Sequence, residues 1–149
     1  LGMQKGPQIS PKMYREFFKP RHGVMWKRAK QLANVKVMLH CCGGVRELLA
    51  DLIDAGLDAI NPVQISCKGM AAHELKAEFG KEMVFWGGGC DTQVALTQAT
   101  PGEIKEHVRR QVQIWSPEGG FVFQQVHNIL ANVPPENVVA MYEAVRAGD

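Results

Sequence analysis

The chain has 149 residues, 46% of them apolar, enough for a single packed domain over residues 1–149, since domains commonly hold ~100 to 150 residues. Its 17 basic and 15 acidic residues are scattered and leave a net charge of +2, with no polybasic run interleaved with aromatics, so nucleic acid is not an expected partner. No apolar stretch approaches the ~20 residues that cross a bilayer, Leu1-Gly2-Met3-Gln4 has no leader pattern, and the adjacent Cys41 and Cys42 make a poor disulfide framework; no membrane partner and a cytoplasmic setting with free or metal-bound thiols are expected.

In chain order, Ser10-Pro11 opens a helical stretch rich in Met13, Phe17 and Phe18, which Pro20 is expected to interrupt before it resumes through Leu32. Val35 to Leu39 reads as a first strand. Val45, Leu48, Leu49, Leu52 and Ile53 follow the spacing that lines up one helix face, and Gly56 supplies the residue that ends it. Leu57 to Ile60 is a second strand, followed by a helix over Met70 to Phe79 closed by Gly80. Met83 to Trp86 is a third strand. Thr100-Pro101-Gly102-Glu103 is a capping box with proline at the first helical position, and Ile104, Val108, Val112 and Trp115 form the core face of that helix. Phe121 to Val126 is the fourth strand, and Pro134-Pro135 opens a last helix with Val138, Met141, Tyr142 and Val145 facing the core.

This order, one helix and then four strand–helix units, implies an α/β protein with parallel strands joined by crossovers. Four units raise a difficulty, because a complete (β/α)8 barrel takes ~250 residues and a parallel sheet is normally buried on both faces. Three solutions are open: a second copy completes the barrel, an N-terminal half is missing, or the helices divide over both faces of a doubly wound sheet.

In either architecture ligands bind beyond the carboxyl ends of the strands. Those ends are polar throughout: His40-Cys41-Cys42-Gly43, Asn61-Pro62-Val63-Gln64, Gly87-Gly88-Gly89-Cys90-Asp91 and His127-Asn128. Alternation along a strand puts His40 and Cys42 on one face and Cys41 on the other. Imidazole and thiolate suit zinc, whose catalytic sites use three protein ligands and keep one position open. The third ligand should come from another strand end, either His127 or Cys90. Zinc would deprotonate a bound thiol at neutral pH and make it a nucleophile. Cys41 reads as a small buried hydrophobe, and Cys67, His22, His73 and His107 as solvated or structural. The glycine triplet Gly87 to Gly89 lacks a dinucleotide fingerprint and reads as tight backbone geometry. Asp91 and Gln93 follow it and are expected to line the crevice, although Asp91 could equally cap a turn.

Taken together, "SPKMYREFFKP", "LHCCG", "DLIDAGLDAINPVQ", "LKAEFG", "FWGGGCDTQ", "GGFVFQQVHNI" and "VPPENVVAMYEA" resemble the C-terminal half of the uroporphyrinogen decarboxylase superfamily, which includes the zinc-dependent methylcobamide:thiol methyltransferases. The resemblance implies half of a (β/α)8 TIM barrel, here strands five to eight, with its site at the rim identified above; the uncovered sheet face makes completion by dimerisation the expectation. In the methyltransferases the zinc ligands are an H-x-C after strand five, matched by His40 and Cys42, and a cysteine after strand eight, where this chain has His127. The decarboxylases end strand eight in a histidine, which His127 resembles, but lack the H-x-C. Their carboxylate-gripping arginines and aspartate lie in an N-terminal half that has no counterpart here, and Gln4 is the remaining rim residue from the stretch after strand four.

The resulting expectation is zinc-assisted methyl transfer between a corrinoid and a thiol. His40, Cys42 and His127 are the metal ligands; His127, Gln64 and Asp91 serve the chemistry; Asn61, Gln64 and Gln93 contact the corrinoid or tetrapyrrole. A homodimer, a corrinoid protein, or a small tetrapyrrole or thiol are the expected partners. The alternatives are a porphyrinogen decarboxylase and a self-associating half-barrel without activity.

Overall fold

The computed structural model describes residues 1–147. A short antiparallel hairpin, β1 (Gly2–Met3) and β2 (Gly6–Pro7), leads into α1 (Pro11–Met13), a π-helical stretch over Tyr14–Phe18 and α2 (Lys19–Leu32). The break expected at Pro20 does not occur. Pro20 sits in the first turn of α2, where its missing N–H leaves no hydrogen bond unmade, and the wider π stretch just before it accommodates the ring. Tyr14, Phe18, His22 and Trp26 then form a row along one side, with successive ring centroids 6.4, 6.4 and 4.7 Å apart. Tyr14 and Trp26 are buried.

The remaining elements are β3 (Met38–His40), α3 (Arg46–Asp54), β4 (Ala59–Asn61), α4 (Ala72–Phe79), β5 (Val84–Trp86), α5 (Ala95–Gln98), α6 (Pro101–Trp115), β6 (Phe121–Val122) and α7 (Pro135–Arg146). All four strands are parallel and run in the order β3-β4-β5-β6. This is an α/β fold and half of a (β/α)8 barrel. The hairpin and the short α5 are absent from the sequence-based reading, and the fourth strand is shorter than expected.

Register decides what each sheet face carries. Leu39, Ile60, Phe85 and Phe121 align across the sheet and face the helices, where Ile60, Phe85 and Trp115 are fully buried with Leu48, Leu49, Leu52 and Leu75. The opposite face carries Met38, Ala59 and Val84 in one row and His40, Asn61, Trp86 and Val122 in the next. That face is uncovered: Met38 is 48%, Trp86 39% and Val122 37% exposed. Its lower part is a concavity of about 660 Å³ that includes Ala59, Val84, Trp86 and Val122. A parallel sheet bare on one side is the expected signature of an unclosed barrel.

A second apolar cluster joins α5, α6 and α7 through Leu96, Ile104, Val108, Ala140, Met141 and Ala144. The capping box of α6 forms as read, with Thr100 and Glu103 exchanging hydrogen bonds. The core face of α7 sits one position earlier than expected: Asn137, Ala140, Met141 and Ala144 are buried while Tyr142 is 49% exposed. The small Ala140 and Ala144 admit close approach to α6. Asn137 is drawn inward because its amide donates to the carbonyls of Leu96 and Ala99. No helix among the described residues is long and apolar enough to cross a membrane.

Candidate functional site

The carboxyl ends of β3 to β6 form an open rim. His40 ends β3 and Cys42 follows two residues later, so the strand's alternation carries both to the uncovered side. The His40 Nε2 to Cys42 Sγ distance is 3.5 Å. Cys41 points the other way and is buried in the core. The second ring nitrogen, His40 Nδ1, lies 2.7 Å from Asn61 Oδ1, because β3 and β4 pair with His40 opposite Asn61. Asn61 is buried, and its Nδ2 donates to Trp86 O and to Gln124 Oε1, both at 3.0 Å. The amide is thereby held with its oxygen toward the imidazole, and Nδ1 must carry the proton. Asn61, expected as a cofactor contact, is placed by the structure behind His40, which it orients.

Gln64 Oε1 accepts from Gly43 N–H at 3.0 Å, and Gln64 Nε2 donates to Gln4 Oε1 at 3.2 Å. Gln4 Nε2 donates in turn to Gln93 Oε1 at 3.3 Å. Gln4 reaches the rim because the β1–β2 hairpin rests on the glycines after Cys42. Gly43 has φ +91, and a Cβ there would meet Gly2 C at 2.5 Å. Gly87 has a comparable role beneath the rim: its φ is +117 and a Cβ would lie 2.0 Å from Pro62 O, so only glycine lets the end of β5 press against the chain leaving β4.

The other predicted residues fall into three positions. His127 is exposed and lines a cavity of about 460 Å³ together with Gln4, Cys42, Gln64 and Gln93. Asp91 is buried rather than set in the crevice wall. Its Oδ2 accepts from the N–H groups of Val94 and Ala95 at 2.8 and 3.2 Å, which anchors the turn into α5, and its Oδ1 has no partner among the described residues. Cys90, the other choice for third ligand, is fully buried among the α5–α7 apolar residues; burial, reinforced by the Asp91 charge, pushes its thiol up to about 12. Its side chain lies in that cluster and not on the wall of the cavity that holds Cys42 and His127.

Two residues read as solvated or structural take part near the site. Cys67 is buried and donates to Gln4 Oε1 at 3.0 Å. Burial raises its thiol, and the charges of Cys42 and Asp91 add to the shift. His107 Nε2 accepts from the Asp91 backbone N–H at 3.2 Å, and burial lowers its pKa. No spacing in the sequence signals either contact: Cys67 meets Gln4 of the hairpin 63 residues away, and His107 meets the turn at Asp91, 16 residues earlier in the same β5–α6 unit. Among the described residues, no group of three or more His, Cys, Asp and Glu side chains comes together in a way that could hold a metal ion.

The geometry can be compared with known proteins. A solved structure, a methyltransferase from Methanosarcina mazei, superimposes on 93% of this chain with a TM-score of 0.72 at 22% sequence identity. The chain spans 38% of that protein's length. No curated protein sequence matches the chain. The family description "Uroporphyrinogen decarboxylase (URO-D)" matches residues 4–148, so with four parallel βα units and a polar rim at their carboxyl ends, the chain belongs to the uroporphyrinogen decarboxylase family.

Proposed function

We propose that this chain supplies half of the active site of a zinc-assisted methyl transfer between a corrinoid and a thiol. The observation that carries the reading is the His40–Cys42 pair. Zinc bound at ~2.0 Å from nitrogen and ~2.3 Å from sulfur in tetrahedral geometry separates the two donors by ~3.5 Å, and His40 Nε2 and Cys42 Sγ lie 3.5 Å apart. The imidazole tautomer also fits, since the proton is held at Nδ1 by Asn61 and the lone pair of Nε2 is turned to the thiol. Bound zinc would supply the charge that keeps a substrate thiol deprotonated.

His127 is the third ligand assigned, from the wall of the same cavity as Cys42. It lies beyond β6 in exposed, irregular chain, so it can approach the pair without disturbing the sheet. The absence of a gathered third ligand among the described residues favours a second reading, an inactive half-barrel. The partner proposed for the bare sheet face is a second copy of this chain. Strands β3 and β6 are free edges, and the lower concavity mixes Lys36 and Lys81 with Asp58, Glu82 and Glu118, a distribution of charge that can complement itself across a twofold axis.

Elemental analysis of protein purified without chelator tests the metal reading. About one zinc per chain is expected, lost in Cys42→Ser and in His40→Ala. Metal-free protein from such a preparation would discard methyl transfer in favour of the inactive half-barrel.

A further inference from the structure

The helix that leads into the sheet is apolar on its outer side. Arg21, Val24, Met25, Arg28 and Leu32 stand at i, i+3, i+4, i+7 and i+11 along α2, the spacing of a helix face that is normally buried. Here that face is turned away from the buried Trp26, and all five residues are exposed, Val24 to 73% and Leu32 to 68%. Pro20, Arg21, Val24 and Met25 line a shallow concavity of about 500 Å³ on it. A continuous exposed apolar patch set among charges marks a contact surface.

The charge of α2 is one-sided. It carries Lys19, Arg21, Lys27, Arg28 and Lys30 and no Asp or Glu. Lys19 and Lys30 are engaged by Asp51, Asp54 and Asp58. Arg21, Lys27 and Arg28 have no carboxylate partner among the described residues. A surface that fits this face is therefore both apolar and acidic.

The outer side of α7 has that character. Glu136, Val139 and Glu143 follow at i, i+3 and i+7 with Tyr142 beside them, and all four are exposed. Glu136 has no cationic partner among the described residues, and Glu143 reaches Lys105 at 2.7 Å with its side chain still 56% exposed. Topology brings the two helices together when a second copy covers the bare sheet. A twofold axis that joins the edge strand β3 to β6 of the partner sets α2, which leads into β3, and the partner's α7, which follows β6, outside the same junction. Both helices share that space, so the side chains between them decide whether the barrel closes.

We infer that the outward face of α2, centred on Val24, Met25 and Arg28, binds the Glu136, Val139, Tyr142 and Glu143 face of α7 in a second copy of this chain, with two such contacts in each dimer. The inference rests on the second-copy reading given above and adds a contact outside the sheet that selects the partner by charge.

Sedimentation equilibrium of the full chain tests it. Added salt should weaken the unsubstituted dimer, because these charges are exposed and screened. The double variants Lys27→Glu/Arg28→Glu and Glu136→Lys/Glu143→Lys should each dimerise on the order of tenfold more weakly, since like charges then meet at both contacts; circular dichroism checks that each keeps its helix content. An equimolar mixture of the two variants should regain the unsubstituted affinity, because in the mixed dimer both contacts pair opposite charges. A dimer that neither salt nor either variant weakens, or variants that mixing does not rescue, overturns this inference and leaves the sheet-face dimer standing. A monomeric unsubstituted chain overturns both. Co-sedimentation with phosphatidylserine vesicles that is lost in Lys27→Glu/Arg28→Glu, with dimerisation unmoved, assigns the face to an anionic membrane and overturns it as well.

Discussion

Asn61 determines which nitrogen His40 presents. Its amide is held by Trp86 O and Gln124 Oε1, so among the described residues its oxygen is the acceptor offered to His40 Nδ1. Replacing it with leucine removes that acceptor and frees the ring to change tautomer. Zinc affinity in Asn61→Leu, measured by competition with a chromophoric chelator, should fall about 10- to 100-fold, and Asn61→Asp should retain it. The contrast with the H-x-C pair shows what a sequence discloses at this scale. Two residues on one strand are placed by alternation alone, and that rule holds here. Asn61 reaches His40 through strand register, and Cys67 reaches Gln4 through a hairpin no residue pattern announced. Cys90 and His127 ended strands of similar appearance, yet packing against α5 to α7 buried one and left the other exposed.

At the scale of elements, the helix that precedes the barrel units is fastened by charge. Asp51 on α3 is buried and pairs with Arg15 and Lys19, each at 2.8 Å. Asp58 pairs with Lys30 at 2.7 Å and accepts from Val37 N–H. Burial alone would raise both carboxyls, but their cationic and N–H partners together hold them below the ordinary carboxylate range. Their folded pKa values are therefore lower than their unfolded ones. The stability they contribute is complete above the usual carboxylate pKa of ~4 and is lost as pH falls through the depressed folded values. The thermal midpoint should decline on acidification below about pH 4. Asp51→Asn should cost about 1–2 kcal/mol at neutral pH, discounted for the partial exposure of its partners, and should flatten that acid limb; thermal denaturation followed by circular dichroism across pH reads both. Local signals placed these helices well where the cause was local, as in the Thr100 capping box. They failed where a neighbour decided: α7 turned its face to suit α6, and a π stretch absorbed Pro20.

For the whole molecule, the alternation of strands and helices was enough to identify parallel βα units, because each unit's pattern is written in consecutive residues. How the barrel closes was not, since the bare face with Met38, Trp86 and Val122 is defined by what stands opposite it. A second copy in that place predicts a dimer by sedimentation equilibrium, converted to monomer by Trp86→Lys, which puts a charge into the centre of the contact; a monomer at micromolar concentration in the unsubstituted chain rules the second copy out. The bare face has a further consequence for chemistry. While it stays open, bulk solvent reaches the sulfur and imidazole from the barrel axis, so any anion formed there keeps much of its hydration and its attraction to a cation is damped by a high dielectric. On the proposed methyl-transfer reading, capture of a thiol and its fast reaction then become separable properties, because only the exclusion of water from the axis would make a bound thiolate reactive.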